Sequence, residues 1–557
     1  MDPLRSLREQ EFLRRLRERD ASLWSRDPEE QAAIANRLGW FTVHATMAER
    51  SLEFREFARD VQEGGYTRVV LLGMGGSSLA PEVFQQTFGP PAWAGPLTVL
   101  DTTDPASILD VERSLDLPRT LFIVSSKSGT TIETISLFRY FAERVRAARG
   151  EGGVLENFVA ITDRGTPLEK QAHHEGFRRC FLNPPDIGGR YSALSYFGLV
   201  PAAAIGLDVD RLLQAAAALD GRAALELGAT LSGMAAEGRD KITFLPTPAL
   251  RSFGAWAEQL LAESTGKKGK GLVPVDGEPV GPPQAYGNDR LFVRLRLAGQ
   301  PDELDGPVRA LQAASQPIVT IELNDVYGLG AEFLRWEIAT AAAGALLGIN
   351  PFDEPNVQES KDNTMAVLQE SSRAEHVPDP PPVATEDGLS LYCDAETALA
   401  LGGAEGSLGS TLAKHFRRGR PGDYLATMAY FQRNEQHDRL LTRMRTALRD
   451  ATRLATTVGY GPRFLHSTGQ LHKGGPPTGV FLQLTADDPV DLPIPGEPAY
   501  GFSKLKQAQA LGDLRALQSR GRRVVRVHLS GALDAGLERL VDSLEAGLAA
   551  VAPGRRE

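Results

Sequence analysis

The chain has 557 residues, 42% hydrophobic and 24% charged, and at roughly 100 to 200 residues per domain it is long enough for three or four domains and too long for one. Collagen, a coiled coil and disorder throughout are excluded by that balance. With 61 basic against 71 acidic residues and a net charge of −10, the chain is a poor partner for nucleic acid or an anionic membrane, so an anionic ligand would need a local positive pocket.

Only two cysteines occur, Cys180 and Cys393, which leaves no disulfide framework or thiol metal site and fits a reducing cytoplasm. The opening MDPLRSLREQEFLRRLRERD is too charged for a signal peptide. IATAAAGALLGI, among the longest apolar stretches, is shorter than the ~18 residues that span a bilayer.

In chain order, residues 1–60 read as helices, with Leu4, Leu7, Phe12, Leu13 and Leu16 as an apolar stripe. From there the runs RVVLLG, LTVLD, TLFIVSS, NFVAITD and RRCFLN read as strands, with helices over Thr131–Ala148 and Pro167–His174. Such alternation predicts an α/β domain at 61–208 with a doubly wound parallel sheet. A second, at 209–370, is predicted from KITFLP, LFVRLRL and PIVTIEL, with helices over FGAWAEQLLAEST and from Gly330 to Leu347. The proline-dense EHVPDPPPVATEDG suggests an extended linker within 371–405. A C-terminal α/β domain, 406–557, is predicted from DYLATMAYF, a helix over Asn434–Thr457, TGVFLQLT, a helix after Gly501, RVVRVHL and a final amphipathic helix.

Ligands of parallel sheets bind at the carboxyl ends of the strands, so the loops there hold the candidates. Gly73-Met74-Gly75-Gly76-Ser77-Ser78 lacks both the dinucleotide spacing and the P-loop ending. Ser126-Lys127-Ser128-Gly129-Thr130-Thr131 sets four hydroxyls and a lysine at a helix start, donors suited to a phosphate monoester, although one hydroxyl would suffice as a cap. Glu263 falls in the last turn before Gly266, where the helix dipole disfavours a carboxylate; it reads either as a base or as a surface acid offset by Lys267, Lys268 and Lys270. Arg190 follows paired glycines and could face an oxyanion. His466 lies in a polar glycine-rich loop and could transfer protons. No zinc-binding motif accompanies it.

Taken together, GMGGSS, SSKSGTT-x-ET, GGRYS, QLLAESTGK and GINPFDEPNVQESK resemble the glucose-6-phosphate isomerases over about residues 65–365. GYGPRFLHSTGQLHKGGPPTGVFLQLT and YGFSKLKQAQALGDLRAL further resemble the isomerase half of bifunctional transaldolase/glucose-6-phosphate isomerases. The resemblance implies two sugar-isomerase (SIS) sandwich domains, an active site normally completed across a homodimer, a soluble sugar phosphate as substrate, no cofactor or metal, and a functional association with a transaldolase. It implies that Ser77 and Ser126 to Thr131 hold the phosphate, that Glu263 is the catalytic base, that Arg190 faces the enediolate and that Lys361 sits at the sugar ring. Gly76, Gln259, Glu354 and Lys506 are further candidates for substrate contact, with Lys506 a rival to Lys361.

Three departures mark this chain. Glu354 and Asn356 replace the family's glutamine and glycine, and the ring-opening histidine that follows the catalytic glutamate in bacterial members has no counterpart in LVPVDGEPVGPPQAYGNDR. The segment LHSTGQ occurs instead at 465–470, so His466 is expected to take that role from the third domain. A non-catalytic sugar-phosphate sensor and an isomerase of another sugar phosphate are the competing expectations; a sensor would not need Glu263 with Arg190.

Overall fold

The computed structural model describes residues 2–90, 93, 95–150, 154–300, 302–371, 381–402 and 406–550. Five helices, Pro3–Glu9, Phe12–Arg17, Pro28–Ala35, Trp40–Ala48 and Ser51–Glu63, lead into the first sheet. Its strands are β1 (Arg68–Gly73), β2 (Leu97–Leu100), β3 (Thr120–Ser125), β4 (Phe158–Asp163) and β5 (Arg179–Asn183). They are all parallel and ordered β2-β1-β3-β4-β5. The second sheet has β6 (Lys241–Pro246), β7 (Val273–Val275), β8 (Arg290–Leu297) and β9 (Ile318–Leu323), in the order β7-β6-β8-β9 and again parallel.

The third sheet comprises β10 (Ala384–Glu386), β11 (Leu389–Tyr392), β12 (Tyr424–Tyr430), β13 (Ala455–Tyr460), β14 (Gly479–Ala486) and, after a small β15 (Pro493–Ile494) and β16 (Glu497–Gly501) hairpin, β17 (Arg523–Leu529). Its parallel part runs β13-β12-β14-β17, so all three sheets repeat one order in which the second strand flanks the first and the third lies on the other side. Each sheet therefore opens a crevice at the carboxyl ends of its first and third strands.

Strand periodicity divides the interior. Val69 and Leu71 of β1 face a core that takes in Leu7, Phe12 and Leu16 of the N-terminal helices and one face of the second sheet. Val70 and Leu72, pointing the other way, share a second core with Ala426, Met428 and Tyr430 of β12. Leu425 and Ala429 of β12 face a third core confined to the C-terminal domain.

Two expectations are corrected. The helix expected to reach Thr457 ends at Thr452, because Arg453 takes a left-handed φ of +62° and the β-branched run after it forms β13. Of the expected linker, 372–380 and 403–405 lie outside the described residues, but β11 is hydrogen-bonded antiparallel to β17 and β10 to β11. Alternation in LSLY, with Leu389 and Leu391 buried, adds this segment to the sheet. Among the described residues, no helix is long and apolar enough to cross a membrane.

Candidate active site

The loop after β1 approaches its neighbours through glycine. A Cβ on Gly76 would stand 2.0 Å from the Gly189 carbonyl oxygen, and one on Gly75, at φ +54°, would stand 2.7 Å from Gln259 Nε2 and 3.0 Å from the His466 carbonyl oxygen. No larger residue fits there, and Ser77, Arg190, Gln259 and His466 are thereby brought to one place. Ser77 is buried at the end of the short turn Gly75–Ser77.

In the loop after β3, Ser126 and Thr131 share a hydrogen bond of 3.0 Å, the Gly129 amide donates to Ser126 Oγ at 3.1 Å, and Thr130 Oγ1 donates to Ser128 Oγ at 3.0 Å. Thr131 is the N-cap residue of the 18-residue helix Ile132–Arg149, yet its side chain makes no cap hydrogen bond. Plain capping does not account for this cluster, and the positive end of the helix dipole points at the hydroxyls. Lys127 is placed otherwise: its ammonium pairs with Asp163 and donates to the Pro185 carbonyl at 3.1 Å.

Glu263 is 7% exposed, which removes the surface-acid alternative. Arg190 Nη1 lies 3.2 Å from Glu263 Oε1 and 3.0 Å from Glu354 Oε2, while Nε donates to Ser264 Oγ at 2.9 Å and Nη2 to the Pro351 and Asp353 carbonyls at 2.8 Å. Lys267, one of the expected offsetting charges, is buried, donates to the Asn350 carbonyl at 2.8 Å and pairs with Asp353 at 2.6 Å; burial lowers it to about 8. Burial lifts the Glu263 carboxyl above the usual range, with Arg190 opposing that lift and Glu354 adding to it. A buried carboxyl of raised pKa facing a fixed guanidinium is suited to taking a carbon-bound proton while the cation stabilises the anion formed.

The third domain completes the cluster. Gln259, one turn before Glu263, donates through Nε2 to Glu263 Oε2 at 3.0 Å and to the His466 carbonyl at 2.7 Å. His466 Nε2 lies 3.1 Å from Glu133 Oε1, in the first turn of the helix after the hydroxyl loop. Gln509 Nε2 donates to the same oxygen at 2.7 Å and is itself fixed by Thr103 Oγ1 at 2.8 Å. Burial works against the Glu133 charge, but His466, and more weakly Lys361, hold this carboxyl below its usual range. Lys361 is exposed on the helix Pro355–Glu370, whereas Lys506 is buried between Asp104, at 2.7 Å, and Asp488. Lys506 thus ties the first domain to the third, and Lys361 is the accessible cation of the two.

Glu133 and Gln509 were missed in the sequence. An acid in the first turn of a helix looks like dipole compensation, and Gln509 carries no signal beyond its place one turn after Lys506. A cavity of about 910 Å³ lies beside the cluster: Glu82, Asp101, Glu258, Asp276, Arg433 and Arg463 line it, and Glu263, Arg190, Glu133 and His466 do not. Among the described residues, no group of three or more His, Cys, Asp or Glu could hold a metal ion.

Residues 41–230 match the family model described as phosphoglucose isomerase. The chain is 30% identical over 367 residues to the glucose-6-phosphate isomerase of Rubrobacter xylanophilus, covering 84% of that protein and 56% of this one. It is also 30% identical over 377 residues to the enzyme of the same name from Symbiobacterium thermophilum, again covering 84% of it and 56% of this chain. Among solved structures, a hypothetical protein of Thermus thermophilus aligns with a TM-score of 0.55 and 25% identity over 97% of its chain and 66% of this one.

Proposed function

The chain belongs to the phosphoglucose isomerase family, and from that premise we propose that it interconverts glucose 6-phosphate and fructose 6-phosphate through ring opening and a cis-enediolate. One observation carries this reading: Glu263 and Arg190 face each other in a buried site onto which the third domain delivers His466, paired with Glu133. A sensor has no use for a buried base beside a guanidinium.

The hydroxyls of Ser126, Ser128, Thr130 and Thr131, with Ser77, would hold the phosphate, so that binding energy far from the reacting carbons orients them. His466, its ring held by Glu133, would pass a proton to or from the ring oxygen with Lys361 nearby. Glu263 would then carry the proton between C2 and C1, while Arg190 stabilises the enediolate oxygen. In this reading His466 replaces, within one chain, the histidine that bacterial relatives carry just after the catalytic glutamate. The transaldolase association rests on the C-terminal motifs alone, and a cytoplasmic location on the cysteine usage alone.

The test is NMR of the protein with fructose 6-phosphate in D2O. Glucose 6-phosphate deuterated at C2 is expected; binding with neither interconversion nor exchange would leave the sensor. For the phosphate loop, Ser126→Ala combined with Thr131→Ala removes two hydrogen bonds to an anion and should raise KM on the order of 10-fold or more with kcat little changed. An unchanged KM would show that the phosphate binds elsewhere.

A further inference from the structure

Arg463 and His466 are the two ends of one short 3-10 turn, Arg463–His466. The Arg463 guanidinium leaves the third domain altogether. It is ion-paired with Glu82, on the helix Leu79–Phe88 that follows the glycine loop, and its Nε lies 3.3 Å from Asp101 Oδ2, just past the end of β2. Asp101 in turn accepts from Ser78 Oγ at 3.1 Å, so the anchor reaches back into the glycine loop. At the other end of the turn, the His466 carbonyl is held by Gln259 of the second domain. The turn is therefore fixed at one end to the first domain and at the other to the second.

We propose that Arg463 is a positioning residue for His466: its two carboxylate partners set where the imidazole stands against Glu133. This rests on the ring-opening role read for His466 above. A planar guanidinium can engage both carboxylates at once, whereas an ammonium is a point charge on a flexible stem. Arg463 and Glu82 are each about a fifth exposed at the cavity wall and Asp101 is buried, and a partly shielded ion pair can fix geometry even where it adds little stability. Arg463 touches no reacting group, so losing it should affect only the step that needs His466 in place. Misplacing a catalytic group by ~1 Å costs on the order of 100-fold.

The experiment uses the full chain and two substrates. Fructose 6-phosphate must be opened before its proton can move; its 5-deoxy analogue lacks the ring-closing hydroxyl, is permanently open, and reports proton exchange alone. Arg463→Lys is expected to lower turnover of fructose 6-phosphate on the order of 10- to 100-fold, leave exchange on the analogue within about twofold, and add nothing further in a His466→Ala background. Leaving Glu82 and Asp101 without their paired guanidinium could unfold the protein, so a second variant combines Glu82→Gln, Asp101→Asn and Arg463→Met. It should fold and show the same selective loss. Equal losses on both substrates, or wild-type turnover of fructose 6-phosphate in either variant, would overturn the inference. If His466→Ala fails to separate the two substrates, the ring-opening reading falls and takes the role of Arg463 with it. If His466→Ala separates them and Arg463→Lys does not, only the role of Arg463 falls.

Discussion

Glu263→Gln should reduce isomerisation on the order of 100- to 10,000-fold, the range that positioned general bases supply, while KM changes little. The amide keeps the size of the carboxyl, Gln259 and Arg190 remain beside it, and Arg190 keeps its ion pair with Glu354. What disappears is the proton acceptor. Deuterium exchange at C2 should vanish with turnover, and a variant that retains wild-type exchange would show that another group is the base. The wild-type pH profile offers a second check. Because burial raises Glu263 above 4.5, the base is protonated as pH falls through that raised value, so the acid limb of kcat/KM should lie above the ordinary carboxylate range. A limb at or below it would contradict the assignment.

Glu337→Gln should stabilise the protein, increasingly so as pH rises. Glu337 lies in the middle of the helix Leu329–Leu347, is 0% exposed, and has neither carboxyl oxygen hydrogen-bonded among the described residues. Burial pushes its pKa well above 4.5. Below about 4.5 the group is neutral in both the folded and unfolded chains, and the substitution carries no pH-dependent term. Above that value the unfolded chain gains the free energy of ionisation and the folded chain does not, so wild-type stability falls until the pH passes the folded-state pKa. Each pH unit in that window costs the wild type about 1.4 kcal/mol relative to the amide. Denaturant unfolding of both proteins at several pH values measures this gap directly. A gap independent of pH would mean that the carboxyl is solvated or paired in solution.

The first two sheets were legible because their strands are short β-branched runs separated by helices of ordinary length. Glu263 was legible as an acid at the wrong end of a helix, and the hydroxyl loop as more donors than a cap requires. Segment 384–392 and β13 were less so: proline density beside the first, and a helical pattern running into the second, masked strands that exist because a neighbouring edge accepts them. The site residues from distant parts of the chain were the hardest to read. Lys127 sits in a donor-rich loop, but only the fold shows that Asp163 claims its charge. Nothing in the spacing of Glu133, His466 and Gln509 tells that the first and third domains bring them within hydrogen-bond reach.

The second core, shared by β1 and β12, makes the third domain something other than an appendage. An appended module can be gained, lost or exchanged while its host keeps folding, because the seam between them is polar. Here Val70 and Leu72 are covered by the helix Ile132–Arg149, whose Tyr140 packs edge-on against Phe502 of the third domain at 5.9 Å. Cutting the chain before residue 406 would bare an apolar strip of that helix, so natural selection could not trade away the His466 turn without also re-solubilising it. The placing of His466 and the solubility of the first domain are thus under a single constraint, and a lineage that discards the C-terminal third must alter that strip at the same time.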